Sequence, residues 1–107
     1  MKALVFGGSG FLGSHVADQL SDSGYDVTIF DRQESKYLRK DQKMITGDIL
    51  DSELVSEAVG QNLYVYNFAG LSDLNLSITN PLDTLELNIL GNTNILEACR
   101  MKKVNRF

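Results

Sequence analysis

The chain has 107 residues, 43% of them apolar and 22% charged, and a net charge of −4 at neutral pH, which is enough for one globular domain with its own core. No basic cluster is denser than Arg100, Lys102 and Lys103, so a nucleic-acid surface is excluded; those three cations suit a helix C-terminus instead. One cysteine (Cys99) excludes an intramolecular disulfide, one histidine (His15) leaves no soft metal site, and no apolar window approaches the ~18 residues of a membrane span; neither export nor insertion is expected, and a reducing, cytoplasmic setting is.

In chain order, Lys2 to Phe6 is a short apolar run closed by glycine and reads as a buried strand. Gly7, Gly8, Ser9, Gly10, Phe11, Leu12 and Gly13 follow as a GxxGxxG run that opens a helix from Phe11 to Ser23. That helix carries Leu12, Val16 and Leu20 at fourfold spacing, with Gly13 and Ala17 as a small face for close approach to a sheet. Gly24 ends it in a left-handed or turn position. Tyr25 to Phe30, rich in β-branched and aromatic residues, is the second strand and terminates at Asp31. Residues 32–42 are polar and read either as a loop or as a short helix, with Tyr37 and Leu38 the only apolar pair able to tuck inward.

Lys43 to Thr46 is a third short strand ending at Gly47-Asp48. Asp51 then caps a helix with Leu54, Val55, Ala58 and Val59 on one side, and Gly60 stops it. Leu63 to Phe68 is the fourth strand. Asn80 as N-cap and Pro81 at the first position start a long helix running to about Lys102, roughly 30 Å in all. Val104 to Phe107 reads as the first half of a fifth strand. Strands alternating with helices at this spacing imply an α/β fold: an incomplete, doubly wound parallel sheet of about four to five strands, of the Rossmann type.

The glycine run carries the chemistry. Between a strand and a helix, such glycines let the backbone turn tightly and approach a pyrophosphate, which the helix N–H groups then meet. Asp31 stands 21 residues after Gly10, at a strand end, where a carboxylate can accept from both adenosine ribose hydroxyls and repel a 2′-phosphate. The adjacent Arg32 would offset that phosphate, yet the acid holds the strand end itself, so NAD is favoured over NADP. Asp31 could otherwise be a solvated turn residue. Asp48 suits either an adenine amino group or a helix cap, and Ala69-Gly70 either close approach by a flat ring or an ordinary strand exit. Asn88 and Gly91 are poor helix formers inside a helix. Close packing accounts for Gly91, and a local hydrogen bond or kink for Asn88. His15 has no nucleophile or acid arranged around it and is assigned no catalysis.

The order GGSGFLGSH, Asp31, Gly47-Asp48-Ile49, Phe68-Ala69-Gly70-Leu71, Pro81, Asn88, Gly91 and Leu96-Glu97-Ala98 resembles the extended short-chain dehydrogenase/reductase family. These are the NAD-dependent sugar epimerases and dehydratases, and the similarity is greatest to their UDP-glucose 4-epimerase type. The resemblance spans the whole chain. It implies that Gly7, Ser9, Gly10, Phe11, Leu12 and Gly13 line the pyrophosphate, that Asp31 and Arg32 flank the adenosine ribose, and that Asp48 and Ile49 hold the adenine. Phe68, Ala69 and Gly70 would border the nicotinamide, with Asn88 near the catalytic centre. Three residues depart from the pattern: Asn67 stands where many relatives have His, Ser72 where some have Lys, and Asn92 where Thr is usual.

The family mechanism, by the same resemblance, needs a Tyr with a Lys four residues later. Tyr25, Tyr37, Tyr64 and Tyr66 are followed at that distance by Ile29, Asp41, Phe68 and Gly70. Residues 1–107 are therefore expected to be the N-terminal part of a dinucleotide-binding domain, without catalytic or substrate-binding portions, without a metal, and inactive alone. The intact enzyme would act on a nucleotide-sugar by transient hydride transfer to NAD and form a homo-oligomer. The alternative reading is a noncatalytic NAD(P)-binding or redox-sensing Rossmann protein, and a third is an α/β module that binds no nucleotide.

Overall fold

The computed structural model describes residues 1–60, 63–70 and 74–107. Four strands, β1 (Lys2–Phe6), β2 (Asp26–Asp31), β3 (Gln42–Thr46) and β4 (Leu63–Asn67), form one parallel sheet in the order β3-β2-β1-β4. β1 is central, and its residues from Ala3 to Phe6 are all buried. That explains why its sequence is a continuous apolar run, as expected of a strand covered on both faces. Leu4 and Phe6 point to one core, with Phe30, Ile49, Val55, Val65, Ile95 and Cys99. Val5 points to the other, with Ala17, Val27 and Ile29. The rings of Phe6 and Phe30 lie 4.9 Å apart.

Helix α1 (Phe11–Asp22) covers the second core, and α2 (Ser52–Ala58) packs beside α5 (Asn92–Lys102) over the first. The small face of α1 is as the sequence suggests, because Gly13, Ser14 and Ala17 are its buried residues. Leu12, by contrast, is 58% exposed, in the first turn of the helix. Gly24 takes φ +88° just past the helix. Asp51 caps α2, its side chain accepting from the Leu54 N–H at 3.2 Å.

Residues 32–41 form a loop, and Tyr37 and Leu38 do not tuck inward; they are 64% and 41% exposed. Polar groups anchor this loop to α1 instead. Arg39 pairs with Asp22 at 2.9 Å, and the buried Gln42 donates its amide to Asp18 and Ser21, both at 3.0 Å. The Asp22 hydrogen bond raises the Arg39 pKa above its ordinary value.

The long C-terminal helix is not one regular helix. It consists of α4 (Pro81–Leu85), a π turn over Glu86–Gly91, and α5, and it is preceded by a short α3 (Leu74–Thr79) that the sequence pattern did not suggest. Asn80 occupies the N-cap position, but its side chain makes no capping hydrogen bond; its backbone carbonyl takes the Thr84 N–H. Arg100 and Lys102 do fall in the last turn of α5. Arg100 pairs with Glu97, which lowers the Glu97 pKa. Beyond it, Asn105 N donates to Leu63 O at 3.0 Å and Val65 N to Arg106 O at 2.9 Å, a single parallel bridge between Arg106 and Tyr64 of β4 where the sequence reading expected half a strand.

Candidate functional site

The carboxyl ends of the strands converge because their ladders continue one residue into each loop. Gly7 N donates to Phe30 O, Phe68 N to Phe6 O, and Gly47 N to Asp31 O, at 2.8, 2.8 and 2.9 Å. The connection after β3 crosses to the far side of β1, so the order in which strands are added to the parallel sheet reverses between β1 and β4. In open α/β sheets, ligands collect in the crevice at such a reversal. A cleft of about 210 Å³ lies there. Gly7 and Gly10 contribute from the β1 exit, Phe30, Asp31, Arg32, Gly47 and Ile49 from the β2 and β3 exits, and Phe68, Ala69 and Gly70 from β4. Leu87, in the π turn, completes the lining.

The glycines are there for steric reasons that the geometry makes explicit. Gly7 has φ +75°, and a Cβ on it would lie 2.5 Å from the Phe68 carbonyl carbon. A Cβ on Gly13 would lie 2.2 Å from the Gly7 oxygen, so only glycine lets α1 start this close to the loop. Ser14 N, bonded to Gly10 O at 2.9 Å, is the first intrahelical donor. The N–H groups of Phe11, Leu12 and Gly13 precede it and have no acceptor within the helix. With the helix dipole behind them, these donors suit a negatively charged group. The Phe11 and Leu12 side chains turn outward, Phe11 being 81% exposed and stacked edge-on against His15 at 4.8 Å. What these two residues offer a ligand is backbone.

Asp31 is fixed by two backbone donors. Its carboxylate accepts from Ser9 N at 3.0 Å and from Gln33 N at 3.3 Å, one on each oxygen. Each oxygen keeps a further acceptor position. Ser9 is turned toward β2, its hydroxyl donating to Gln33 O at 2.6 Å. Asp48 uses one oxygen to accept from Leu50 N at 3.0 Å, while the other lies 4.0 Å from Arg32 Nε. Arg32 is exposed and Asp48 half-buried, and at this distance the pair contributes little stability.

On the β4 side, a Cβ on Gly70 would lie 2.7 Å from Asn88 Oδ1, which places the Asn88 carboxamide against this strand exit. Asn67 and Asn92, two of the departures noted in the sequence, meet each other: Asn67 Nδ2 donates to Asn92 Oδ1 at 2.9 Å, and Asn67 Oδ1 accepts from Ala69 N at 2.9 Å. The third, Ser72, lies outside the described residues, as does Leu71. Asn94, which the sequence reading passed over, donates to Ile49 O at 2.9 Å. The same signal that marked Asn88, an asparagine inside a helix, could have found it. Gly91 is the close-packing glycine expected, since a Cβ there would meet Ile49 Cδ1 at 2.3 Å. Among the described residues there is no cluster of metal-ligating side chains, and no helix is long and apolar enough to cross a membrane.

Comparison with known proteins bears on this geometry directly. The profile of the NAD dependent epimerase/dehydratase family matches residues 3–107. The chain is 32% identical over 119 residues to a UDP-glucose 4-epimerase of Klebsiella pneumoniae, an alignment covering all of this chain and 86% of that sequence. It is 36% identical over 109 residues to a dTDP-glucose 4,6-dehydratase of Mycobacterium tuberculosis, covering 94% of this chain and 33% of the relative. Its fold superposes with a TM-score of 0.87 and 31% identity on a UDP-glucose 4-epimerase of Thermus thermophilus in complex with NAD, over 96% of this chain and 35% of that one. The chain thus spans about a third of the length of most relatives it matches. With an α/β sheet in the order β3-β2-β1-β4, a glycine loop at its crevice and a family profile matched over nearly its whole length, the chain belongs to the NAD dependent epimerase/dehydratase family.

Proposed function

We propose that residues 1–107 bind NAD across the carboxyl ends of β1 to β4, as the cofactor-holding N-terminal part of a sugar-nucleotide epimerase or dehydratase. The residues present fit that group. The observation that carries the reading is the bond from Ser9 N to the Asp31 carboxylate, which joins the phosphate-binding loop to the group suited to a ribose diol in one rigid unit. In this reading the pyrophosphate lies over the loop from Gly7 to Gly13, against the N–H groups at the start of α1. The ribose hydroxyls donate to the free positions of Asp31, Asp48 and Ile49 border the adenine, and Phe68, Ala69 and Gly70 take the nicotinamide side, with Asn88 next to Gly70.

When bound, NAD supplies a hydride acceptor for oxidising a sugar hydroxyl. The chain's own residues orient it; none of the four tyrosines is followed by Lys at the fourth position, so the proton-transfer pair is not among them. Titration calorimetry with NAD and NADP tests the proposal. NAD should bind more tightly than NADP, and Asp31→Ala should weaken NAD by about tenfold to a hundredfold, the worth of hydrogen bonds to a charged group. A folded chain that binds neither nucleotide, or an Asp31→Ala variant that binds NAD as well as its parent, overturns it.

A further inference from the structure

One turn of helix touches both walls of the cleft. Asn94 donates its side-chain N–H to the carbonyl of Ile49, on the β3 exit, and Gly91 lets the same helix rest directly on the Ile49 side chain. Two residues before Asn94, Asn92 accepts from Asn67, which in turn holds the N–H of Ala69 on the β4 exit. The orientation of these amides is forced by chemistry. The Ala69 N–H can only donate, so Asn67 must present its oxygen to it; its nitrogen then faces Asn92, which must present its own oxygen. Asn94 faces a carbonyl and must present its nitrogen. The two helix asparagines are therefore used from opposite ends, one as acceptor and one as donor.

We propose that the turn from Gly91 to Asn94 is a positioning element that sets the two halves of the cofactor cleft separately: Asn94 fixes the adenosine-side wall through Ile49, and Asn92, acting through Asn67, fixes the nicotinamide-side wall through Ala69. This rests on the NAD reading above. Neither asparagine is a catalytic residue; each acts through the backbone of another segment. Phe68, next to Ala69, is held to β1 by its N–H on Phe6 O and lies against Gly7, so loss of the Asn67 bond loosens the β4 exit beyond it, at Ala69 and Gly70. The β2 and β3 exits are joined by their own ladder through Gly47 and Asp31 and stay in place.

The opposite use of the two amides supplies the test. Aspartate keeps the oxygen and loses the donor, so the same substitution should be tolerated at one position and damaging at the other. Binding of ADP, which occupies the adenosine side and the glycine loop but not the nicotinamide side, and of NAD, which reaches both walls, is measured by calorimetry for Asn92→Leu, Asn92→Asp, Asn94→Leu and Asn94→Asp, together with urea midpoints. Asn94→Leu and Asn94→Asp should each weaken ADP and NAD alike, by about tenfold, the low end of the cost of an unsatisfied buried acceptor. Asn92→Leu should weaken NAD by a similar factor while ADP stays within about twofold, and Asn92→Asp should restore most of the NAD affinity. If the leucine variants do not fold, the aspartate pair decides. Equal losses of ADP and NAD at both positions, tracking the urea midpoints, would show a purely structural role and overturn the proposal. An unmodified chain that binds neither ADP nor NAD refutes the cofactor reading itself.

Discussion

Replacing Gly13 by alanine sets two effects of opposite sign against each other. Helix propensity alone favours alanine by about 1 kcal/mol. Against it, the new Cβ falls 2.2 Å from the Gly7 oxygen and 2.9 Å from its carbonyl carbon. Gly7 cannot recede, because its N–H is bonded to Phe30 O at 2.8 Å and its carbonyl accepts from Gly10 N at 3.2 Å. α1 must therefore withdraw by about 1 Å, a gap that forfeits roughly a quarter to a half of each dispersion contact it makes. Those contacts run through Ala17 and Leu20 to Val5, Val27 and Ile29. Overpacking against backbone belongs near the upper end of the usual range, about 3 kcal/mol, which leaves a net loss of about 2 kcal/mol after the propensity gain. For a domain of this size that lowers Tm by roughly 10 °C. Urea unfolding followed by far-ultraviolet circular dichroism measures the loss, and NAD titration of the same protein should show weakened binding. Gly24→Ala is the companion variant. It has open space around it but φ +88°, so left-handed strain of about 1–2 kcal/mol should lower stability and leave NAD affinity alone. A Gly13→Ala protein as stable as its parent would refute the steric reasoning.

Three other outcomes follow from local geometry. Asp51→Ala removes the acceptor for Leu54 N and should lower the unfolding free energy by about 1 kcal/mol in urea, with Asp51→Asn recovering most of it. Burial raises the Cys99 pKa, so the folded chain keeps the thiol proton to higher pH than the unfolded chain does. The stability from the neutral buried thiol is then present below about pH 8.5 and declines as pH rises beyond it, a decline that Cys99→Ala should reduce. Reaction of Cys99 with a thiol reagent at about pH 8, near the ordinary thiol pKa, should be slow in buffer and fast in denaturing urea; rapid reaction of the folded protein would contradict its 6% exposure.

The strands were legible because β1, β2 and β4 are short runs rich in apolar or aromatic residues and β3, though more polar, is closed by Gly47, and β1 through Phe6 carries the strongest version of that pattern. The glycine loop and Asp31 were legible because their spacing follows from the lengths of one helix and one strand. What sequence did not reveal depends on tertiary geometry. A π turn differs from an α turn by one residue, and although Asn88 and Gly91 mark Glu86–Gly91 as poor helix, neither residue specifies a π turn. The loop at 32–41 was read through its apolar pair, whereas the Arg39 guanidinium and the amide of Gln42 just after it, both bonded to α1, hold it in place. Asn67 and Asn92 were seen as separate departures from a pattern. They are partners across 25 positions, which spacing along one chain cannot express.

The bond between Ser9 and Asp31 has a consequence for altering nucleotide preference. Exchanging an acid at this position for a small or basic residue is the direct way to admit a 2′-phosphate. In this chain the same carboxylate receives the loop's own N–H, so the exchange would also unfasten the loop on which the proposed function places the pyrophosphate. Preference and loop geometry are mutationally linked, and a redesigned site must supply a new acceptor for Ser9 N before it can gain from the new cation.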